Sequence, residues 1–569
     1  MDQEDIVQAM QRWGMFLLLG VVCAGLAGCD GEGLVWSGMS GVNGGDQAPG
    51  DSSDGGGPVT PAQDKRFAGD WAACFSDDVA TSSTATGRIA YVLRMTLTQN
   101  VSSVNGTGRV VRVFGQGSTA YDTDPRTFNV TGTASGADLV LTFSSGSTVP
   151  FDFSPTWYLR MLGSQAYGTQ MVGLSVAMDT SGEVARSGIA RWYSIGSSTL
   201  DGDWVTAFTD SIPLGSANQK DHTGEMTVSR SGQSIAGAGN LYTQRDNDVL
   251  LTQSFSISRS LVTGQELGFS FGGSDLTNLP YDWFAVFDGT HLLSAYAAFG
   301  SNQPDATLIN AGTATWYRPL VSTPAVLTHA WTAAFQDTSV ADPANRRRGA
   351  YVAVMNLTGG SGGTVTGTAS ILNESDTTPA YRTYDVANGS IVGSQARLEL
   401  RDRSSNAYFS WDFQVISNGL LGSYQYFGND GAYVSRGTAQ WWYQSPASPK
   451  GTWAAVYYDT QGETKPAVDQ LALVTINTPA SDGSLTGFGA LRYAGETRRR
   501  LFNLTGNVSG SEVTWKWAGT GLYGDTDWHL RQGSNLFVST YTNRDTSGGV
   551  EYRGYAIWFK TLSASGFTQ

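Results

Sequence analysis

The chain has very little cysteine: Cys23, Cys29 and Cys74 are the only three in 569 residues. A disulfide framework or a cysteine-based metal site needs more thiols than this. Histidine is nearly as scarce. His222, His291, His329 and His529 show no paired spacing of the HExxH kind, which argues against a histidine metal centre. Charged side chains make up only 15% of the chain, against the usual quarter. The formal net charge is −14, so there is no broad basic surface for phosphates and no nucleic-acid partner is expected. Long helix-forming stretches at 3.6-residue spacing are absent after residue 30. What is abundant is glycine, 71 residues of it, together with Ser, Thr and Asn. This is the composition of an all-β protein with many turns. No cofactor is indicated.

Long apolar runs are also missing, apart from one near the N-terminus. Met15 to Leu26 reads MFLLLGVVCAGL, too short to span a bilayer and the right length for the apolar core of a signal peptide. It runs into Leu26-Ala27-Gly28-Cys29, which resembles the lipobox of bacterial lipoproteins. The resemblance implies cleavage before Cys29, a lipid on its thiol, and attachment to a membrane of the bacterial cell envelope on the periplasmic or cell-surface side. Asp2, Glu4 and Asp5 precede the single cation Arg12. A start at Met10 would give a cleaner signal. Residues 1–29 therefore read as signal peptide with lipobox. Residues 30–66, which contain GGDQAPGDSSDGGGP, read as a flexible linker.

Seventeen tryptophans stand out against this background. Twelve recur as an ordered triplet: Trp71, Trp157, Trp192; then Trp204, Trp283, Trp316; then Trp331, Trp411, Trp441; then Trp453, Trp528, Trp558. The chain thus reads as four copies of one domain-sized unit, over 67–198, 199–321, 322–446 and 447–569. Each copy opens alike, with Trp71, Phe75 and Asp77 matched by Trp204, Phe208, Asp210, by Trp331, Phe335, Asp337 and by Trp453, Tyr457, Asp459. Offsets of four and six are even, so in a strand the three side chains share one face. The residues between them are small or apolar, so the other face is expected to be covered as well. Each copy closes on Gly-x-Ala-x-Trp, at Gly188, Gly312, Gly437 and Gly554. Between these ends lie short alternating runs separated by turn residues, about eight strands per copy. Eight antiparallel strands whose first and last members share a tryptophan signature predict an up-and-down barrel, which leaves no open edge. A two-sheet sandwich, or a propeller of doubled blades, stays open as an alternative.

Three of the opening tryptophans follow Gly-x, at Gly69, Gly202 and Gly451, and Arg186, Arg436 and Arg553 lie near the closing strands. This is similar to the lipocalin/avidin-type (calycin) barrel, where a first-strand tryptophan packs under a cation from the last strand. The resemblance implies an architecture and no particular ligand.

No catalytic set is legible. The string Gly359-Gly360-Ser361-Gly362-Gly363 has the form of a nucleophile elbow, but it lies between two strand-like runs and reads as a hairpin loop. Arg346-Arg347-Arg348 and Arg498-Arg499-Arg500 read as solvated strand ends. Two sets of repeated residues are candidates for ligand contact. Asp77, Asp210, Asp337 and Asp459 would either accept hydrogen bonds from a ligand at a barrel mouth or cap the turn after the first strand. Trp157, Trp283, Trp411 and Trp528 have polar neighbours and would serve either as core or as a stacking platform for a sugar or a flat apolar molecule. The expectation is a non-catalytic, membrane-anchored lipoprotein whose four β domains act as a multivalent binding or structural surface component. The partners would be the membrane through its lipid, and a carbohydrate, an apolar small molecule or another surface protein. The alternative is a small-ligand carrier with one site per barrel; third comes an enzyme with one diverged repeat.

Overall fold

The computed structural model describes residues 65–561, apart from residues 80–88, 116–125, 146–154, 164–168, 211–219, 245–249, 274–280, 300–307, 321–322, 342–347, 375–378, 446–447, 463–468, 497, 520–521, 523–524 and 534. The residues read as signal peptide, with Cys29, and nearly all of those read as linker lie outside the described residues. The chain is all-β, built from four antiparallel eight-stranded barrels in tandem.

The first barrel runs from Gly69–Val79 to Val184–Ser194 and the fourth from Gly451–Gly462 to Val550–Lys560. Both are closed by pairing of these first and last strands, with Ala73 opposite Trp192 and Ala455 opposite Trp558. In the third barrel the first strand is broken into Ala330–Gln336 and Ser339–Val340, and both pieces pair with Tyr433–Tyr443. The second barrel closes at one point, where Val205 and Tyr317 exchange N–H···O bonds of 2.8 Å. The Gly-Gly-Ser-Gly-Gly string is the turn between Ala350–Gly359 and Val365–Asn373, which pair with each other.

Alternation sorts the side chains. Trp71, Phe75 and their counterparts point into the barrels, and all twelve repeated tryptophans are buried. The four opening tryptophans share one local device. Each indole N–H donates to the carbonyl four residues earlier: Phe67 at 3.0 Å, Leu200 at 3.0 Å, Leu327 at 3.2 Å and Pro449 at 2.8 Å. The segment before each first strand is thereby folded under the barrel as a plug. Gly69, Gly202 and Gly451 make the necessary bend at φ of 121°, 118° and 127°, a region that side chains with a Cβ avoid.

The cation above the opening tryptophan is not the one expected. Arg318 lies 3.8 Å from the Trp204 ring and Lys560 lies 5.5 Å from that of Trp453; both sit two residues beyond the closing tryptophan. Tyr443 stacks on Trp331 from the equivalent place, 4.3 Å between centroids. Arg186 and Arg436 instead form buried ion pairs with Asp77 and Asp221.

The outer faces of the first and last strands are covered because the barrels pack on one another. Strands one to three of each barrel meet strands six to eight of the next. Ala72, Val92 and Tyr193 of the first barrel cluster with Leu293, Ala295 and Phe299 of the second. Val205 and Tyr317 of the second cluster with Ile416 and Leu421 of the third. Ala334, Val352 and Trp442 of the third join Leu536 and Val538 of the fourth, and Ala454 and Phe559 of the fourth join Leu162 and Val172 of the first. Every seam uses the same two unlike surfaces, and the last returns to the first barrel. Head-to-tail contacts of this kind close into a ring, here within one polypeptide. The aromatic residue after each closing tryptophan (Tyr193, Tyr317, Trp442, Phe559) lies in a seam.

Each seam also carries polar links. Glu266 accepts from Arg94 at 3.3 Å and Arg109 at 2.7 Å between barrels one and two. Asp221 and Arg436 meet at 2.5 Å between two and three, with neither side chain exposed. Thr542 donates to Glu374 at 2.6 Å between three and four. Arg499 pairs with Asp138 at 3.2 Å between four and one. The arginine run at 498–500 is therefore not simply solvated: its central member ties the ends of the ring together, and Arg500 pairs with Glu496 at 2.5 Å.

Candidate functional site

The four repeated aspartates lie inside the barrels, between 0% and 5% exposed. Two of them stand where the first strand meets the glycine of the last, Asp77 opposite Gly188 and Asp459 opposite Gly554; Asp210 and Asp337 directly follow the end of their first strands or strand pieces, Gly202–Thr209 and Ala330–Gln336. In three copies the carboxylate accepts the backbone N–H of the residue that begins or precedes the second strand: Ile89 at 2.9 Å, Lys220 at 3.1 Å and Gly349 at 2.6 Å. The side chain thus pins the far end of the first loop back onto the barrel. It does this across the loop rather than through a local turn.

The remaining acceptor capacity of these carboxylates is taken by tyrosine in three barrels. Tyr296 donates to Asp210 at 2.7 Å, Tyr424 donates to Asp337 at 2.8 Å, and Tyr541 donates to Asp459. All three tyrosines come from the seventh strand and sit opposite the sixth-strand tryptophan: Tyr296 faces Trp283, Tyr424 faces Trp411 and Tyr541 faces Trp528. Their rings lie 4.7, 4.7 and 4.6 Å from those tryptophans. They lie 4.9, 5.1 and 5.2 Å from the first-strand aromatics Phe208, Phe335 and Tyr457. On the other side a last-strand glycine makes room. A Cβ at Gly312 or Gly554 would stand 2.7 Å from the tyrosine hydroxyl oxygen, which real structures do not tolerate. Desolvation, followed by the neighbouring carboxylate, drives the pKa of all three phenols well above the ordinary value. Burial also raises Asp337 to about 6, against the lowering effect of its hydrogen bonds.

The first barrel departs from this pattern. The residue opposite Trp157 is Ser175. With no seventh-strand phenol available, Asp77 accepts from the second-strand Tyr91 at 3.0 Å and from Arg186 at 3.1 Å. A half-open cavity of about 50 Å³ lies here, bordered by Phe75, Asp77, Tyr91, Trp157, Ser175 and Arg186, with Arg126 and Phe143 also on its wall.

Trp157, Trp283, Trp411 and Trp528 are all buried, at 2% exposure or less, and none forms a surface platform. Their indole Nε1 atoms find no hydrogen-bond partner among the described residues. Trp157 and Asp77 border open space together, whereas in the other three barrels a tyrosine stands between the corresponding pair. The sequence marks Arg186 only as a cation for the opening tryptophan, and it marks neither the tyrosines nor Ser175. A signal was present: Tyr296, Tyr424 and Tyr541 each follow the sixth-strand tryptophan by 13 residues, while the same distance from Trp157 falls on Gln170.

No protein-family model matches the sequence, and no curated protein does. Among solved structures, a DUF3598-family protein of unknown function from Nostoc punctiforme is similar over 66% of this chain and 96% of its own, at 11% identity and a TM-score of 0.14. The Trp-176-Ala mutant of transferrin binding protein B, a vaccine antigen from Haemophilus parasuis, is similar over 90% of this chain and 98% of its own, at 7% identity and a TM-score of 0.17. TM-scores this low describe no shared arrangement of the whole chain.

Proposed function

We propose that the protein is a lipid-anchored component of the bacterial cell envelope, attached through Cys29, that presents four β-barrels as a non-catalytic, multivalent binding or structural surface. The observation that carries this reading is the ring. Its seams consume strands one to three and six to eight of each barrel, with Asp138 and Glu266 of the fifth strands at their edges, and leave the fourth strands facing outward. Along Arg126–Ser135 and Arg500–Ser509 buried residues alternate with exposed ones, and the exposed positions include Asn129, Thr131, Asn503 and Thr505. Four such polar faces held in fixed relation suit repeated, individually weak contacts, whose linkage raises avidity without any new contact. A carbohydrate or the surface of another envelope protein fits this chemistry. The anchor is tested by palmitate labelling and globomycin sensitivity, both of which should disappear in Cys29→Ala; unchanged labelling in that variant refutes the anchor. Multivalency is tested by placing lysine on one, two or four of the outer faces and measuring adhesion to envelope polysaccharide. Affinity should fall in steps, and an all-or-none loss at a single face refutes multivalency.

A second reading, a small-ligand carrier, is favoured by the cavity of the first barrel. It confines the carrier role to that barrel, with Trp157 and Asp77 as ligand contacts, because tyrosines fill the corresponding space in the other three.

A further inference from the structure

We infer that the first barrel binds a monocyclic phenol, whose ring occupies the place that a tyrosine of the protein fills in the other three barrels. The inference rests on the carrier reading of that barrel and names its ligand class; it is independent of the lipid anchor.

The argument is one of repeated geometry. In barrels two, three and four a phenol ring is held by the same three walls: the sixth-strand tryptophan, the first-strand aromatic and the aspartate that accepts its hydroxyl hydrogen bond. In the first barrel all three walls remain. Trp157 and Phe75 are set edge to face with centroids 5.1 Å apart, just as Phe208 and Trp283 are at 5.5 Å and Phe335 and Trp411 at 5.3 Å. Asp77 is in register with the last-strand glycine as Asp459 is. Gly188 is retained too, and a Cβ there would stand 3.1 Å from the Phe75 ring, one wall of the site. What is missing is the ring itself, because Ser175 supplies only a hydroxymethyl group, and the cavity lies where the ring would be.

The chemistry of the walls selects the guest. Two aromatic faces at fixed separation favour a flat ring over an aliphatic one of equal size. A buried carboxylate rewards a hydroxyl donor, and a site built for a hydroxyl rejects the analogue that lacks it. Arg186, already paired with Asp77 at 3.1 Å, offers a donor to the same hydroxyl oxygen. The space of about 50 Å³ is smaller than the roughly 150 Å³ that encloses a benzene ring, so a single ring enters hydroxyl end first and stays partly in the half-open mouth, and a fused ring is excluded. Two sources carry this head group: a free phenol, and the tyrosyl side chain of a peptide reaching in through the mouth.

The test is titration calorimetry on the full chain with p-cresol, toluene, cyclohexanol, 2-naphthol and N-acetyltyrosine amide. The expected result is one equivalent of p-cresol bound, with toluene and cyclohexanol weaker by about tenfold or more and no naphthol binding. Binding of the tyrosine amide as well as p-cresol assigns the site to peptide tyrosines; binding of p-cresol alone assigns it to free phenols. Ser175→Tyr should abolish binding by restoring the internal plug. Tyr296→Ser should add a second equivalent by opening the same slot in barrel two, a gain that misfolding would not produce. Binding of toluene or cyclohexanol as tightly as p-cresol overturns the phenol assignment and leaves a carrier of apolar molecules. Binding of none of the probes, or binding unchanged in Ser175→Tyr, overturns the site itself.

Discussion

Replacing Arg436 by leucine isolates the electrostatics of one seam. The guanidinium of barrel three and the Asp221 carboxylate of barrel two meet at 2.5 Å, and both side chains are inaccessible to solvent. Removing one partner of such a pair costs roughly 3–5 kcal/mol, because the remaining charge is left in a poor solvent. Two neighbours soften the loss. Thr209 donates to Asp221 at 2.6 Å and Thr338 donates at 2.7 Å, so the expected cost is near the lower bound, about 3 kcal/mol. Pairing Arg436→Leu with Asp221→Asn neutralises the stranded carboxylate, keeps an oxygen for Thr209 and turns an amide N–H to the hydroxyl oxygen of Thr338, which can donate to the carbonyl of residue 436 instead. The double variant should therefore be less destabilised than the sum of its parts by about 2 kcal/mol. Urea unfolding followed by tryptophan fluorescence reads all four corners of this cycle, since every repeated tryptophan is buried in the native chain. A cost under about 1 kcal/mol for Arg436→Leu, or strict additivity in the double variant, would show that the pair is not the buried junction described and refute the reasoning.

Other outcomes follow from the barrel interiors. Asp337 has a folded pKa raised to about 6 from 3.8, so the folded state holds its proton more tightly than the unfolded chain. Its contribution to stability is present at pH 4 and is lost as pH rises through 6, a change of up to about 3 kcal/mol; Asp337→Asn should flatten that part of a stability–pH curve measured by urea unfolding. Gly312→Ala puts a Cβ 2.7 Å from the Tyr296 hydroxyl oxygen and should cost about 1–3 kcal/mol by overpacking. Adding Tyr296→Phe should recover part of it, and no recovery would show that the clash lies elsewhere. Trp453→Ala removes both a buried indole and its bond to the Pro449 carbonyl at 2.8 Å; a loss of about 3–5 kcal/mol in thermal or chemical unfolding is expected. Cys74, half-buried between barrels one and two with its thiol pushed up to about 11 by desolvation, should resist thiol reagents at pH 8 until the ring is unfolded.

Much of the architecture was legible because barrel closure is written locally. The even spacing of Trp71, Phe75 and Asp77 places all three on one strand face, and the matching signature at Trp192 brings the last strand back beside the first. The small apolar residues between them announced a second covered face, though not what covers it. That covering is a relation between residues of different repeats, such as Ala72 and Leu293, and no local period encodes it. The cation over the opening tryptophan lies after the closing tryptophan, not before it, because the residue two beyond the closing tryptophan is the cross-strand partner of the opening one, as Lys560 is of Trp453 and Tyr443 of Trp331. The tyrosine of the seventh strand was overlooked for another reason. Three of the four copies carry it at a fixed distance, but the longer segment between Trp157 and Ser175 shifts the first copy out of step, so the pattern shows only once strand pairing is known.

The ring has three seams between barrels joined directly by chain and one, between barrels four and one, closed only by contact. Until the last barrel has been made, Leu162, Val172 and Leu174 of the first have nothing to pack against. The two unlike surfaces at the chain ends are complementary by construction, so they fit a neighbouring molecule as well as they fit each other. A variant that cannot bring its own ends together, for example one shortened by a barrel, would add copies end to end, and unlike-surface contacts that fail to close grow into filaments. Four is thus the count at which this sequence satisfies itself, and the apolar seam of Leu162, Val172, Ala454 and Phe559, with Asp138 and Arg499 at its edge, is the clasp that separates a discrete particle from an open-ended polymer.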